Sequence, residues 1–187
     1  MQPKSHTGPG AVREQRGFTV IEVMVVVAIL GLLAALAAPS FTPLIERWRV
    51  RQAAEDLAST LTYARSEAIR RGGGVVLRRN TPNNTDCPGI TAEADQWGCG
   101  WIVFVDANGN GTRQGDEQLL RISHAPRQVQ VERSTDVTLI RLNRWGEDGL
   151  GAYGFVIKPM RSNSDVSTAI CVTSGGRIDI RKGATGC

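Results

Sequence analysis

The sequence is poor in the residues that most often carry catalysis. Its 187 residues include two histidines and two tyrosines, and aromatic residues make up 5% of the chain. No Ser-His-Asp set, HExxH motif or glycine-rich phosphate-binding loop is found. The only histidine beyond residue 17 is His124, and no motif surrounds it. These absences indicate an interaction protein rather than an enzyme.

The cysteine pattern excludes a zinc site of the usual kind. No CxxC pair is present, and no cysteine lies at a zinc-ligand spacing from a histidine. Four cysteines in an exported domain indicate two disulfides, for which three pairings are open. We favour Cys87–Cys99 and Cys171–Cys187, because each bond would close a short stretch rich in glycine, proline or asparagine. Free buried thiols are the alternative.

Charge is almost absent from one segment. Residues 18–38 form a run of 21 residues whose single charge is Glu22, although the whole chain carries a formal net charge of +4. At about 1.5 Å per residue, a helix of this length just crosses a hydrocarbon core of roughly 30 Å. The run is too long for an ordinary secretory signal, so we expect it to remain in the mature protein. The basic balance permits contact with nucleic acid or anionic lipid without requiring it.

A basic leader precedes the apolar run. Residues 1–17 hold one acid, Glu14, against three basic residues, Lys4, Arg13 and Arg16, and several glycines and prolines. This pattern predicts a disordered leader held on the cytoplasmic side of a membrane.

Glu22 is the unusual residue of the apolar run. An acid inside a membrane segment costs roughly 2.5–3.5 kcal/mol on insertion scales, so a partner is expected. Cleavage between Gly17 and Phe18 would free an α-amino group four residues before Glu22. In a filament, that amine could neutralise the Glu22 carboxylate of an adjoining subunit. The alternative is a plain signal anchor in which the Glu22 side chain reaches the lipid headgroups.

Residues 17–22, Gly-Phe-Thr-Val-Ile-Glu, resemble the type IV prepilin processing motif, with a small glycine, a hydrophobic first residue and a glutamate in fifth place. The resemblance implies that a membrane prepilin peptidase cuts after Gly17 and that the new N-terminal Phe18 is methylated. It also implies a role for Glu22 in filament packing. Pro39 stands where pilins commonly carry a proline that bends the helix.

The same resemblance implies the organisation of the chain. A cleaved cytoplasmic leader would occupy residues 1–17, a transmembrane and filament-packing helix residues 18–45, and an amphipathic helix with a β-rich periplasmic domain residues 46–187. The protein would cross the inner membrane once before it enters a pilus.

A second helix is expected after the apolar run. Pro39 and Pro43 should bend or locally melt the chain as it leaves the bilayer. Apolar residues then recur at three- and four-residue steps, which predicts one buried stripe: Ala54, Leu57, Ala58, Leu61, Ala64 and Ala68. The arginines between them favour a solvated face. The glycines at 72–74 should end the helix.

Short β-type runs separated by turns fill the rest of the chain, and Trp101–Val105 is the clearest of them. Their spacing predicts an antiparallel sheet or a small sandwich. With the long N-terminal helix packed on it, the fold class is α+β, which is the type IV pilin architecture.

Three further segments resemble the GspH/FimT family of minor pilins: residues 64–69, residues 100–106 with the polar loop that follows, and residues 176–178. The resemblance implies a minor type IV pilin that primes pilus assembly or caps the tip. Its partners would be other major or minor pilins, contacted through the N-terminal helix. A pseudopilin of a type II secretion system, in a periplasmic filament, is the alternative.

Some FimT-type members bind DNA through a basic C-terminal Gly-Arg-x-Arg element. Arg177 matches that element, whereas Asp179 stands in place of its second arginine. The basic residues available for non-specific contact with double-stranded DNA are these: Arg177, Arg181 and Lys182, with Arg78 and Arg79 as further candidates. An ordinary exposed strand is the alternative.

A loop with the spacing of a calcium site follows Trp101–Val105. Asp106, Asn108, Asn110 and Glu117 fit the EF-hand pattern of alternating hard oxygens and a final carboxylate. An EF-hand loop lies between helices, whereas strand-type residues flank this one. A polar hairpin turn is therefore the alternative to calcium, and no other cofactor is expected.

Overall fold

The computed structural model describes residues 17–37, 41–81, 87, 89–124, 126–160 and 166–187. Two α-helices and eight β-strands lie within these residues: α1 Val20–Ala37, α2 Thr42–Arg71, β1 Val75–Arg79, β2 Trp101–Val105, β3 Leu119–Ser123, β4 Val129–Arg133, β5 Leu139–Leu142, β6 Tyr153–Pro159, β7 Thr168–Val172 and β8 Ile178–Lys182. Residues 1–16 of the expected leader, together with Ala38 and Pro39, lie outside the described part.

The chain divides into two compact units, Met1–Phe41 and Thr42–Cys187. This division lies four residues before the predicted boundary after residue 45. Pro43 lies in the first turn of α2, where its missing N–H costs no hydrogen bond and its fixed φ suits the helix. The first described helix ends at Ala37 and the second begins at Thr42, so Pro43 marks the start of the second helix.

Helix α1 begins at an N-cap formed by Thr19. The backbone N–H of Glu22 donates to the Thr19 hydroxyl at 3.3 Å, and the N–H of Val23 donates to the Thr19 carbonyl. Thr19 is thus the N-cap and Glu22 the third helical residue, the spacing of a capping box. The negative charge of Glu22 also suits the positive end of the helix dipole.

None of the described helical stretches combines the length and the hydropathy that crossing a membrane requires.

Helix α2 buries the predicted stripe. All six of the predicted residues are buried, and Val50, Ala53 and Thr60 join them. The helix contacts strands of both sheets, so its stripe forms the centre of the core. Small alanines along the stripe let the backbone of the helix approach the strands closely. Gly72 and Gly73 end α2 with positive φ angles, and the N–H of Gly73 donates to the Ala68 carbonyl at 2.8 Å.

Two antiparallel four-stranded sheets complete the second unit. The first has the strand order β3-β2-β1-β5 and the second the order β4-β6-β7-β8. Every predicted β-type run forms a strand, although several boundaries shift by one or two residues. The α+β class with a small sandwich is therefore confirmed.

Candidate functional site

The predicted processing site lies ahead of the first helix. Gly17 and Phe18 precede α1, and nothing lies within 4 Å of the position that a Gly17 Cβ would occupy. The Phe18 side chain is 81% exposed. A peptidase must reach a scissile bond in an extended segment, and a bond held inside helical hydrogen bonds would be closed to it. The Gly17–Phe18 bond lies outside α1 and its hydrogen bonds.

Helix α1 is apolar on every side. Its large side chains are exposed around the whole circumference: Val20, Ile21, Val23, Met24, Val25, Val26, Val27, Ile29, Leu30, Leu32 and Leu33. Glu22 is its only charged residue and lies in its first turn. A helix that is hydrophobic all round requires cover from lipid or from other protein.

The structure brings together two of the segments that resemble the GspH/FimT family, residues 64–69 and 176–178. The Arg65 side chain on α2 lies against Gly146, in the loop after β5, and against Gly176, in the turn between β7 and β8. A Cβ at either glycine would collide with this side chain, and both glycines have positive φ angles, 72° and 75°. The positive φ of Gly176 therefore favours a glycine at the start of the Gly-Arg-Ile segment, and the Arg65 guanidinium occupies the space beside it.

The candidate DNA-contacting residues fall on different sheets. Arg78 and Arg79 lie on β1 in the first sheet, whereas Arg181 and Lys182 lie on β8 at the edge of the second sheet, which Arg177 precedes. The sequence offered Arg177 for its match to the Gly-Arg-x-Arg element and the other four for their charge, and the topology divides the five residues into two sets.

The structure contradicts the choice of Arg79 as a DNA-contacting candidate. It is buried, and its Nη2 donates to the Ala92 carbonyl at 3.0 Å. Desolvation by burial, together with the neighbouring Arg78, lowers its pKa, with Asp95 opposing. A guanidinium that points into the protein cannot reach a phosphate. Arg78 is also engaged, because it donates to the Gly111 carbonyl and to the Thr112 hydroxyl.

The C-terminal basic residues remain exposed. Arg177, Arg181 and Lys182 all reach solvent, but the Arg181 Nε atom donates to the Asp179 Oδ2 atom at 2.9 Å. Asp179 thus stands where the family element has an arginine, and it also neutralises the next cation on the same face of β8. The accessible positive charge of this strand is smaller than its sequence indicates.

The carboxylates of the candidate calcium loop accept hydrogen bonds from backbone N–H groups of the same loop. The Asp106 Oδ2 atom accepts from Gly111 N at 2.9 Å and from the Arg141 Nη1 atom at 2.8 Å. The Glu117 carboxylate accepts from Ala107 N at 3.0 Å and from Gln114 N at 2.9 Å. These bonds are those of a polar hairpin turn, in which side-chain oxygens replace missing backbone partners.

The two asparagines of the loop are engaged in the same way. The Asn108 Oδ1 atom accepts from Asn110 N at 3.0 Å, and the Asn110 Oδ1 atom accepts from Thr112 N at 2.7 Å. Asp106 Oδ1 is buried and has no hydrogen-bond partner. Among the described residues, no three His, Cys, Asp or Glu side chains are grouped to hold a metal.

Calcium binding by Asp106, Asn108, Asn110 and Glu117 stays a prediction, which a thermal melt tests. If calcium binds, millimolar calcium raises the melting temperature, because a ligand that binds only the folded state stabilises it. Glu117→Ala should remove that rise. Magnesium at the same concentration is the control, and equal melting curves with and without calcium would contradict the prediction.

Both predicted disulfides are confirmed. Cys87 is joined to Cys99 and Cys171 to Cys187, with Cα–Cα distances of 5.2 Å and 5.6 Å. The second bond lies on the outer face of the second sheet, where a Cβ at Gly154 would collide with the Cys187 sulfur. It fixes the C-terminal segment across that sheet. Disulfides of this kind are typical of an oxidising compartment.

Sequence reasoning missed a buried cation at the junction of the two sheets. The Arg133 side chain on β4 is fully buried, and its Nη1 atom donates to the carbonyls of Val137 and Leu139 at 3.3 Å and 3.0 Å. Its Cζ atom lies 4.8 Å from the Tyr153 ring centroid and 5.9 Å from that of Trp97. Aromatic faces attract a cation at such distances. Arg133 thereby joins β4 of the second sheet to β5 of the first.

The Arg133 guanidinium is only partly satisfied. Its Nη2 atom lies 3.7 Å from the buried Asp148 Oδ2 atom, within ion-pair range but too far for a hydrogen bond, and its Nε atom has no partner. Desolvation lowers the pKa of Arg133, although Tyr153 and Asp148 oppose this. Burial, with Asp148, raises the pKa of Tyr153. No local pattern in the sequence signals this cluster.

Comparisons with known proteins agree on one family. A profile of the family described as type II transport protein GspH matches residues 53–176, and one of the prokaryotic N-terminal methylation motif matches residues 12–38. A fimbrial protein of Pseudomonas aeruginosa is 36% identical over 155 residues, which are 82% of this chain and 84% of that protein. Type II secretion system protein H of Xanthomonas campestris is 37% identical over 68 residues, 36% of this chain and 40% of that one.

Two further comparisons match in different ways. Pilin-like protein PilA1 of Thermus thermophilus is 38% identical over 96 residues, so this chain spans about half of that protein's length, 51%. A crystal structure of the type IV minor pilin FimU of Pseudomonas aeruginosa superposes with a TM-score of 0.58 at 19% identity, over 75% of this chain and 94% of that one. This structural likeness establishes the fold.

Proposed function

Because the chain belongs to the GspH family of type IV pilin-like proteins, we propose that it is a minor type IV pilin that primes assembly of the pilus or caps its tip. Membership of the family makes it a pilin-type structural subunit. The observation that carries the proposal is helix α1, which is apolar on every side and holds one acid in its first turn. Such a helix requires a cover, and α1 helices of neighbouring subunits supply one.

The proposed function has two stages, one before and one after assembly of the filament. Before assembly, the apolar run at 18–38 anchors the chain in the inner membrane with the second unit in the periplasm. After a prepilin peptidase cuts behind Gly17, α1 exchanges lipid for the helices of other pilins. The two disulfides suit an oxidising periplasm. The new α-amino group of one subunit then pairs with Glu22 of the next.

The leader gives the direct test of this proposal. Mass spectrometry of the protein from its native cell should find an N-terminal methylated Phe18 and no residues of the leader. Gly17→Leu should preserve the leader, because the peptidase would meet a bulky side chain at the cut. A conservative change elsewhere in the non-helical segment, Thr19→Ser, is the control. A native protein that retains residues 1–17 contradicts the proposal.

The type II secretion pseudopilin is supported by the family profile and by the similarity to protein H of Xanthomonas campestris. The two assignments share the same helix and differ in the filament that contains it. A deletion strain separates them. Loss of surface pili with normal secretion indicates the pilus, whereas retained exoproteins with normal pili indicate the secretion system.

Binding of double-stranded DNA is a second candidate function, supported by the exposed cations around β8. Arg177 and Lys182 are exposed without an acidic partner among the described residues, whereas Arg181 is paired with Asp179. Contacts of this kind would be to phosphates, non-specific and sensitive to salt. Asp179 should oppose binding, because it places a negative charge on the contacting face.

A gel shift with residues 42–187 and duplex DNA at two salt concentrations measures this binding. Arg177→Ala with Arg181→Ala should weaken it by about tenfold and reduce the salt slope by about two. Asp179→Asn should strengthen it. Arg113→Ala with Arg144→Ala removes the same charge from exposed loops and serves as the matched control. If both double variants shift DNA like the unchanged domain, β8 does not hold DNA.

A further inference from the structure

Strand β8 is an open edge of the second sheet. It pairs with β7 on one side, and no strand among the described residues pairs with its other side. The opposite edge of the same sheet is covered. There, Trp97 N donates to the Val131 carbonyl and Arg133 N donates to the Asp95 carbonyl, both at 2.8 Å. Among the described residues, one edge of this sheet is therefore closed and the other is free.

The hydrogen bonds to β7 show which backbone groups of β8 are free. Thr173 N donates to the Arg177 carbonyl at 3.0 Å, and Gly183 N donates to the Ser167 carbonyl at 2.8 Å. In an antiparallel ladder, the bonded residues alternate along each strand. Residues 177, 179, 181 and 183 therefore face β7. The N–H and C=O groups of Ile178, Ile180 and Lys182 point away from the sheet, where an added strand would meet them.

A groove runs beside this edge. It lies between the first turns of α2 and the β7–β8 edge, with a volume of about 630 Å³. Its apolar wall includes Val50, Ala54, Val166 and Ile180. The Ile180 side chain belongs to the core-facing side of β8, yet 42% of it is exposed. The helix thus leaves part of the edge strand uncovered.

Most of the charged residues that line the groove are basic. Arg47, Arg51 and Lys182 line it, and Glu55 is the one acid among the described residues that line it. Arg51 is paired with Glu55 at 2.7 Å, so these two charges offset each other. Arg47 and Lys182 have no acidic partner within the described ranges. A segment entering the groove would therefore be favoured if it carried carboxylates.

We propose that the free edge of β8 and the basic groove beside it bind an extended acidic segment of another protein chain, which adds a fifth strand to the second sheet. Backbone pairing with Ile178, Ile180 and Lys182 supplies the affinity, as in other cases of strand addition. Arg47 and Lys182 select carboxylates on alternate residues, because side chains of a strand alternate between its faces. The CH2 groups of the same carboxylate side chains lie against Ile180, because the residues between them face the other side of the sheet.

A second copy of this chain fits the groove less well. Two β8 strands paired about a twofold axis would bring the basic grooves of both copies together. Like charges at such an interface oppose binding. The charge of the groove thus favours a different, acidic partner. This inference goes beyond membership of a filament, and its test requires no filament.

Amide hydrogen exchange of the full chain in detergent, followed by NMR, tests the proposal. The probe is a seven-residue peptide in which valine and glutamate alternate. At saturation it should slow exchange of the Ile178, Ile180 and Lys182 amides by about tenfold or more. The Arg181 amide, already bonded to β7, should change little. A peptide with lysine in place of glutamate should bind about tenfold more weakly.

Two pairs of variants give the controls. Ile180→Pro removes an outward N–H while the β7 bonds of its neighbours remain, so it should abolish binding, whereas Ile180→Ala keeps the N–H and should still bind. Arg47→Glu with Lys182→Glu should weaken binding by about tenfold. Arg113→Glu with Arg144→Glu makes the same charge change elsewhere and should have no effect. The charge variants do not depend on the proline variant, so the test remains valid if Ile180→Pro does not fold.

Three outcomes overturn the proposal: no protection of the three outward amides, equal binding of the glutamate and lysine peptides, or dimerisation of the unchanged chain that Ile180→Pro abolishes. The last result would assign the edge to a second copy.

Discussion

Replacing Glu22 with alanine is expected to remove the protein from sheared filaments by at least about tenfold while leaving it in the membrane fraction. Removal of the acid lowers the cost of inserting α1 into lipid, roughly 2.5–3.5 kcal/mol, so anchoring is preserved. It also removes the carboxylate that would pair with the α-amino group of an adjoining subunit. Immunoblots of the two fractions measure the ratio.

The control for Glu22→Ala separates charge from helix capping. Glu22→Gln keeps the size of the side chain and loses its charge, so it should fail like alanine. Thr19→Ala removes the hydroxyl that caps α1 and should cost only about 1 kcal/mol of helix stability, with filaments still formed. Normal incorporation of Glu22→Gln would show that the carboxylate charge is not needed for packing.

Replacing Arg133 with alanine is expected to lower the free energy of unfolding of residues 42–187 by about 3–5 kcal/mol. The change leaves the buried Asp148 carboxylate without its cation and two buried carbonyls, those of Val137 and Leu139, without their donor. It also empties the space between the Trp97 and Tyr153 rings. Urea unfolding under oxidising conditions measures the effect.

A double replacement distinguishes the ion pair from the lost volume. Arg133→Met with Asp148→Leu fills both positions with apolar groups, and removing both charges together should recover most of the lost stability. Arg144→Ala, in an exposed loop, should change stability by less than about 0.5 kcal/mol. If Arg133→Ala behaved like Arg144→Ala, the buried guanidinium would not hold the sheets together.

Local patterns were sufficient for most of the secondary structure. The stripe from Ala54 to Ala68 follows the helical period, so the sequence alone places it against the core. The β-type runs alternate and are separated by turn residues, which locates each strand within one or two residues. The disulfides followed from short spacings. Each of these features depends on residues that are close together in the chain.

The remaining features depend on contacts between distant segments. The sequence gives no sign that Arg79 points inward, because its neighbours alternate correctly for either face of β1. Arg133, on β4, meets Asp148 only because the loop after β5 returns to the junction of the sheets. The open edge of β8 depends on strand order, which periodicity does not encode. Strand order likewise places Arg78 and Arg79 on a different sheet from Arg181 and Lys182.

The position of Arg65 has a consequence for two connecting segments of the second unit. This one side chain of α2 rests against Gly146, which follows a strand of the first sheet, and against Gly176, between two strands of the second. Arg65 therefore links the loop after β5 and the β7–β8 turn to the same point of α2, in addition to the contacts of the buried stripe. Shortening this side chain to alanine should loosen that loop and that turn together, which faster amide hydrogen exchange at both would show.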